Sequence, residues 1–161
     1  MENLKVVDIF IGTTLRGSAK GAGRAMYIMR TKRKNGSDYE ATPQIVEYDN
    51  TTESESVLRA IRDALQRLHY ACTVVIHTEC SYVASAITQH WPEKWQRNGW
   101  KSAKGNPVKN AVLWEMLLQD VEEGGHILLA EGEKHEYAEW MRFNMPLKRA
   151  LKDIYTEVPK N

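Results

Sequence analysis

A short apolar run at residues 73–77 constrains the fold more than any other stretch of the chain. It reads Thr-Val-Val-Ile-His, is rich in β-branched residues and does not alternate apolar with polar side chains. Such a run indicates a strand buried on both faces, because a strand with one wet face would show that alternation. Helices must then cover both faces of the sheet that contains it, which selects an α/β architecture.

The patterns on either side of this run predict a strand-rich first half and a second half in which helices and strands alternate. Further strands are predicted at residues 5–11, 24–31, 41–48 and 126–130. Helices are predicted from the N-cap pair Thr51 and Thr52 to about residue 70, and at residues 82–90, 107–121 and 136–156, the last broken at Pro146. The predicted fold class is therefore α/β, with a five-stranded mixed sheet and helices on both faces.

Length and charge limit what such a fold can do. The chain has 161 residues, and we expect a single domain over 1–161. Its net charge is +1, so nucleic-acid binding would depend on a local basic patch. No apolar run approaches about 18 residues and no signal-peptide pattern is present, so we expect a cytoplasmic protein without a membrane partner. Cys72 and Cys80 are the only cysteines, and we expect two reduced thiols.

The stretch 91–114 combines flat aromatic side chains with cations. It holds four of the five tryptophans, five Lys or Arg residues and one acidic residue, Glu93. Aromatic faces interleaved with cations suit a surface that binds a phosphate backbone and packs on sugars or bases. The alternative is that the tryptophans belong to the core and only the cations meet solvent. Turn signals at 98–99 and 104–107 favour an exposed, Trp-rich basic protrusion at about residues 91–110.

The same stretch also carries a family resemblance. It contains Asn-Gly-Trp-Lys at 98–101, Pro-Val-Lys-Asn at 107–110 and Leu-Trp at 113–114, preceded by Thr-Glu-Cys-Ser-Tyr-Val at 78–83. With the predicted order of strands and helices, this block resembles type 1 ribonuclease H of the bacterial kind, and weaker similarity extends over residues 5–145. The resemblance implies a ribonuclease H-like fold.

In that family the basic protrusion holds the DNA strand of an RNA–DNA hybrid. The resemblance therefore implies a nucleic-acid partner, RNA–DNA hybrid or RNA. The chemistry agrees, because a hybrid is recognised by its shape, phosphates and 2′-hydroxyl groups. The residues expected to bind nucleic acid are Trp95, Trp100, Lys101, Lys104, Lys109, Asn110 and Trp114.

The catalytic positions of the family match less well. Its members hydrolyse RNA with two divalent metal ions held by four carboxylates. Two of the four positions fall on Gly12 and Val57, which have no carboxylate, and the other two fall on Glu79 and Glu139, where the family has aspartate. Glu53 lies one helical turn before Val57 and is a substitute candidate, whereas Glu55 is expected on the polar, solvated face.

We therefore interpret the chain as a ribonuclease H-like nucleic-acid-binding protein that has lost, or nearly lost, hydrolysis. If the scaffold has kept its space, Gly12→Asp with Val57→Glu should raise metal affinity. The first alternative is an active endoribonuclease on RNA–DNA hybrids. Its rebuilt site would hold Mg²⁺ or Mn²⁺, with Glu79 and Glu139 as the metal ligands and with Glu53 and Asp8 as further acids.

A second alternative is a protein-interaction module that presents residues 140–145 to a partner.

His135 lies near the family's mobile histidine, which is thought to help product release. A structural role at the start of a helix is the more common use of such a residue. The sequence leaves the oligomeric state and the preferred nucleic acid open.

Overall fold

The structure is a computed structural model and describes residues 3–145. This part of the chain forms six strands: β1 (Lys5–Thr13), β2 (Gly21–Lys32), β3 (Asp38–Glu40), β4 (Gln44–Thr51), β5 (Cys72–His77) and β6 (Ile127–Glu131). Its five helices are α1 (Glu53–Leu65), α2 (Ser81–Thr88), α3 (Trp91–Arg97), α4 (Ala111–Gly124) and α5 (Ala138–Asn144). None of these helices is long and apolar enough to cross a membrane.

The strands form one mixed sheet in the order β3-β2-β1-β5-β6, and β4 also pairs with β2. β1 runs antiparallel to β2 and parallel to β5, and β5 runs parallel to β6. The 73–77 run therefore lies inside the sheet, as predicted. Only one of its faces is fully buried, because its side chains alternate between buried and half-buried. The prediction of burial on both faces was wrong for the second face.

Most of the core lies between the sheet and α1, α2 and α4. The helix α1 starts at Thr52, whose hydroxyl accepts a hydrogen bond from the Glu55 backbone N–H at 3.2 Å, as the N-cap prediction requires. Its buried side chains recur at helical spacing and face the sheet. A second, smaller cluster covers the opposite face and consists of Phe10, Met26, Ile28, Met141 and Met145. Helices therefore lie on both faces, but α5 alone covers the second one within residues 3–145.

Several element predictions needed correction. The sheet has six strands instead of five, because the short β3 precedes β4 where one strand was predicted. Residues 91–97 form the helix α3 instead of a loop, and α1 ends at Leu65, before residue 70. The helix α4 begins at Ala111, after the turn at 104–107. The predicted break at Pro146 lies outside the described residues. Cys72 and Cys80 are buried free thiols, as predicted.

Candidate nucleic-acid interface and carboxylate site

The end of β1 is tightly packed against α5. Gly12 lies next to α5, and a Cβ atom built on it would be 2.9 Å from the Met141 sulfur and 3.2 Å from the Met141 Cβ. Met141 is buried, with 1% of its surface exposed. The second core cluster thus packs on the position that the resemblance aligns with the family's metal-bridging aspartate. A larger side chain at Gly12 would require Met141 to shift, and the gain in metal affinity expected of Gly12→Asp with Val57→Glu stays a prediction.

The second missing carboxylate position is equally closed. Val57 lies in the middle of α1 and is fully buried, with 0% exposure, against the main core. A glutamate there would be an uncompensated charge in an apolar environment, and such a charge is costly to bury. The prediction that Val57→Glu would help to rebuild a metal site therefore does not fit the packing.

Glu53 and Glu79 are the two candidate acids that the fold brings together. They line one open cleft of about 430 Å³ between α1 and the start of α2, which we call the Glu53–Glu79 cleft. Glu53 accepts a hydrogen bond from the Gly17 backbone N–H at 3.1 Å and lies 3.7 Å from the Arg16 guanidinium. Lys109 lines the same cleft. Two carboxylates therefore share the cleft with two cations.

Glu139 does not join them. Its side chain is 66% exposed and lies 2.7 Å from the Lys134 ammonium group. The hydrogen bond and charge of Lys134 hold the pKa of Glu139 below its ordinary value. Glu139 does not line the Glu53–Glu79 cleft, and its pairing with Glu79 on a metal ion stays a prediction.

Asp8 is also engaged elsewhere. Its carboxylate lies 2.8 Å from Nε2 of His77, whose Nδ1 lies 3.4 Å from Glu131. Across residues 3–145, no group of three or more His, Cys, Asp or Glu side chains is arranged to hold a metal ion. The four-carboxylate, two-metal site of the family does not fit these residues.

Basic side chains of the chain itself lie beside three of its acids. Arg16 lies beside Glu53, Lys20 beside Glu55 at 3.9 Å, and Lys134 beside Glu139. Glu55 is 13% exposed, so the prediction that it is solvated was wrong. It is drawn in beside Thr51, whose hydroxyl lies 3.4 Å from its carboxylate. Each of these three acids therefore has a cation of the chain itself as a neighbour.

His135 has a structural role. Its Nε2–H donates to the carbonyl of Ile11 at 2.8 Å, and its Nδ1 accepts from the Tyr137 backbone N–H at 3.2 Å. These partners fix one neutral tautomer. Burial lowers the pKa of His135, which keeps it neutral. The ring therefore joins β1 to the start of α5.

The tryptophans of the 91–114 stretch pack inward. Trp114 is 1% exposed, and its indole N–H donates to the Tyr82 hydroxyl at 3.4 Å. Trp95 lies 6.1 Å from both Trp91 and Trp114, measured between ring centroids. Trp91, Trp95 and Trp100 are partly buried against the main core. The prediction that Trp114 contacts nucleic acid was wrong, since α4 carries it into the core.

The cations of the same stretch face solvent. The exposed basic residues are Lys94, Arg97, Lys101, Lys104 and Lys109. Their loop is ordered by an antiparallel bridge between Lys101 and Pro107 and by the Asn98 side chain, which donates to two loop carbonyls. Asn110 adopts φ +61° and donates from its amide to the Ser54 hydroxyl at 3.0 Å, which ties the loop to α1. The basic protrusion is therefore a cationic loop on an aromatic base, and Lys109 joins it to the Glu53–Glu79 cleft.

Comparison with known proteins identifies the family. The ribonuclease H family model matches residues 9–130, which include the cleft acids Glu53 and Glu79 and the whole basic protrusion. The chain belongs to the ribonuclease H family.

Relatives named ribonuclease H agree. The protein of Oleidesulfovibrio alaskensis is 33% identical over 117 residues, which cover 71% of this chain and 70% of that relative. The protein of a Thermoanaerobacter species is 31% identical over 118 residues, 73% of this chain and 71% of that relative. The protein of Caldicellulosiruptor saccharolyticus is 41% identical over 71 residues, so that match spans 44% of this chain and 49% of that relative.

Solved structures share the ribonuclease H fold. LC9-RNase H1, a type 1 ribonuclease H with the type 2 active-site motif, has a TM-score of 0.70 at 19% identity over 90% of this chain and 72% of that one. A foamy viral protease–reverse transcriptase in complex with RNA/DNA hybrid has a TM-score of 0.63 at 14% identity, over 79% of this chain and 17% of that one.

Two features of the site escaped prediction from the sequence. Met141 was predicted only as part of residues 140–145, a segment that could face a partner, and no local pattern connects it with Gly12 at the other end of the chain. The ion pairs of Arg16 and Lys20 with α1 were also not predicted, because residues 12–23 carry no strand or helix pattern and lie far from α1 in the sequence.

Proposed function

We propose that this ribonuclease H family member binds RNA–DNA hybrids through its basic protrusion and the Glu53–Glu79 cleft, without two-metal hydrolysis of the RNA strand. The observation that carries the proposal is the packing of Met141 on Gly12, since a bridging carboxylate there would have to displace the Met141 side chain. The burial of Val57 and the outward position of Glu139 support it further.

The binding half of the proposal follows from charge and placement. The five cations of the protrusion are exposed, and their loop is held by internal hydrogen bonds, so ordering it on binding costs little entropy. Lys109 lies in both the protrusion and the cleft, so a nucleic-acid backbone that follows the cations would pass Arg16 and Glu79. Such contacts read phosphates and shape without a base-specific code.

The cleavage half is tested with purified protein and a labelled RNA–DNA hybrid in Mg²⁺ or in Mn²⁺. We expect no cleavage above a buffer control in either metal. The alternative of an active nuclease is favoured by one observation, the shared cleft of Glu53 and Glu79. Cleavage that disappears in Glu79→Gln would establish that alternative and refute our proposal.

The binding half is tested by gel shift over a range of salt concentrations. Alanine at Lys101, Lys104 and Lys109 should weaken binding to all hybrid sequences alike. The slope of log affinity against log salt should also fall by about 1 for each phosphate that these side chains no longer neutralise. Arginine at the same three positions keeps the charge and is the matched control. If the alanine variant bound as tightly as the wild type, the basic protrusion would not be the binding surface.

The protein-interaction alternative has its own observation. Trp140 and Phe143 lie on one side of α5 and are 46% and 84% exposed, whereas Met141 and Met145 of the same segment are buried. A chain that acts only through this surface should not bind hybrid at any salt concentration. The same gel shift therefore separates this class from a nucleic-acid binder.

A further inference from the structure

A second pocket lies apart from the Glu53–Glu79 cleft, at the start of β1. Helix α1 ends at Leu65, so it leaves the first residues of β1 and the end of β2 uncovered. The connection from α1 to β5 closes over this area and leaves an open pocket of about 170 Å³. Its apolar lining includes Val7, Met29, Ala41 and Leu68. None of its lining residues belongs to the Glu53–Glu79 cleft.

Two exposed tyrosines stand at this pocket. Tyr70 is 77% exposed and Tyr39 is 48% exposed, although both line the pocket. The guanidinium group of Arg33 lies 5.3 Å from the centre of the Tyr39 ring. Exposed aromatic faces beside an apolar pocket of this size suit a planar ring that can stack, since stacking does not depend on the identity of a base.

The charges around the pocket select an anionic ligand. Lys5, Arg67 and His69 line it, and Arg33 lies over Tyr39. Arg67 is held in place by its Nε–H, which donates to the Tyr27 hydroxyl at 2.7 Å.

The nearby acids are already engaged. Asp38 lies 2.8 Å from the Lys32 ammonium, and Asp63 accepts a hydrogen bond from the Tyr27 hydroxyl and lies 3.7 Å from Arg67. Burial raises the pKa of the Cys72 thiol, so this part of the lining stays uncharged. The rim therefore offers positive charge beside an apolar interior.

We propose that this pocket binds an unpaired nucleotide, with the base stacked between Tyr39 and Tyr70 and the phosphate beside Lys5 and Arg67. A pocket of about 170 Å³ has room for one planar ring and not for a base pair. The ligand can come from a free mononucleotide or from a single-stranded extension of a nucleic acid. This site is independent of the hybrid-binding surface proposed above, because the two share no residues.

The test measures binding of two probes to the full chain: adenosine monophosphate, followed by NMR of the tyrosine resonances, and a fluorescent single-stranded oligoadenylate, followed by anisotropy. Tyr70→Ala should weaken binding of the single strand about tenfold, as expected for loss of one stacking partner. Leu68→Trp should fill the pocket and have the same effect. Phe143→Ala removes an equally exposed aromatic ring from α5 and is the matched control.

The outcomes are distinct. Binding of both probes assigns the pocket to nucleotides in general, and binding of the oligonucleotide alone assigns it to a nucleic-acid strand. Photo-cross-linking of wild-type protein with a 4-thiothymidine oligonucleotide should map to Tyr39 or Tyr70, which covers the case of a variant that fails to fold. Cross-links confined to the basic protrusion, or an unchanged affinity in Tyr70→Ala, would overturn the proposal. Because hybrid binding is scored separately with the Lys101, Lys104 and Lys109 variant, failure of one site does not imply failure of the other.

Discussion

At the scale of single residues, the proposed loss of two-metal hydrolysis rests on the contact between Gly12 and Met141. Gly12 is tolerated in a buried strand because its missing side chain makes room for the methionine. The thioether fills an irregular gap in the second core cluster, a use for which methionine is well suited. The pair therefore acts as one packing unit that spans β1 and α5.

Gly12→Ala should lower the free energy of unfolding by about 1–3 kcal/mol, because the added methyl group overpacks the site against Met141. Gly21→Ala is the matched control on the neighbouring strand, since its nearest contact would be Leu15 at 4.0 Å. That control should leave stability unchanged or raise it by up to about 1 kcal/mol. Urea denaturation of both variants measures the difference, and equal stabilities would contradict the packing described here.

At the scale of elements, the aromatic cluster of Tyr82, Trp91, Trp95 and Trp114 joins α2, α3 and α4. It gives the short helix α3 a packing surface that its seven residues could not stabilise alone. The protrusion's cations project from this base, so their placement depends on side chains that are turned inward.

Trp114→Ala should lower the free energy of unfolding by about 3–5 kcal/mol, because it opens a large cavity in the core. Trp140→Ala, on the exposed side of α5, should change it by only about 0.5 kcal/mol. Chemical denaturation followed by far-UV circular dichroism compares the two. If Trp114→Ala lowered the free energy of unfolding as little as Trp140→Ala, Trp114 would again be a candidate nucleic-acid contact.

His135 makes the joint between β1 and α5 sensitive to acid. Its pKa is lowered by burial, so below the ordinary histidine pKa of about 6.5 the unfolded chain binds more protons than the folded one. The contribution of neutral His135 to stability is therefore fully present above that pH and is lost as the pH falls through the folded-state pKa. His135→Gln should reduce the loss measured by urea denaturation between neutral and mildly acidic pH.

Burial also lowers the pKa of His126, which accepts a hydrogen bond from the Cys72 backbone N–H at 3.1 Å. The double variant His126→Gln with His135→Gln should therefore flatten the pH dependence further. An acid dependence in His135→Gln equal to that of the wild type would mean that protonation of this ring is not linked to folding.

Local sequence patterns predicted most of the strands and helices. The features that they did not predict depend on contacts between residues far apart in the sequence. The apolar run at 73–77 and the N-cap of α1 were readable because strand and helix signals are local. Whether the side chains of Trp95 and Trp114 face the core or solvent could not be predicted. An aromatic residue beside lysines fits both a core and a binding surface until α3 is known to be a helix. The two missing carboxylates were visible at Gly12 and Val57, but the packing of Met141 on Gly12 depends on a tertiary contact.

At the scale of the whole molecule, charge is concentrated locally while the net charge stays near +1. The protrusion and Arg16 form a positive surface, and the remaining acids of the site are accompanied by Lys20 and Lys134. Binding that uses fixed cations should need no divalent ion.

Hybrid affinity should therefore be the same within about twofold in EDTA and in Mg²⁺ at equal ionic strength, as measured by fluorescence anisotropy. Arg16→Ala should weaken binding in both buffers, since Glu53 would then face the phosphates without its partner. Arg16→Lys keeps the charge and serves as the control. A loss of about tenfold or more on adding EDTA would show that a bound metal contributes at least about 1.4 kcal/mol to binding.

The Gly12–Met141 contact also bears on how such a chain can evolve. A return to four carboxylates would require an acid on β1, an acid on α1 and a smaller residue in place of Met141. Each of the first two changes should lower stability when made alone, since Met141 crowds Gly12 and the core surrounds Val57. If hydrolysis is lost as we propose, selection would meet these losses before any benefit, so the Met141 contact would oppose a return to a four-carboxylate site.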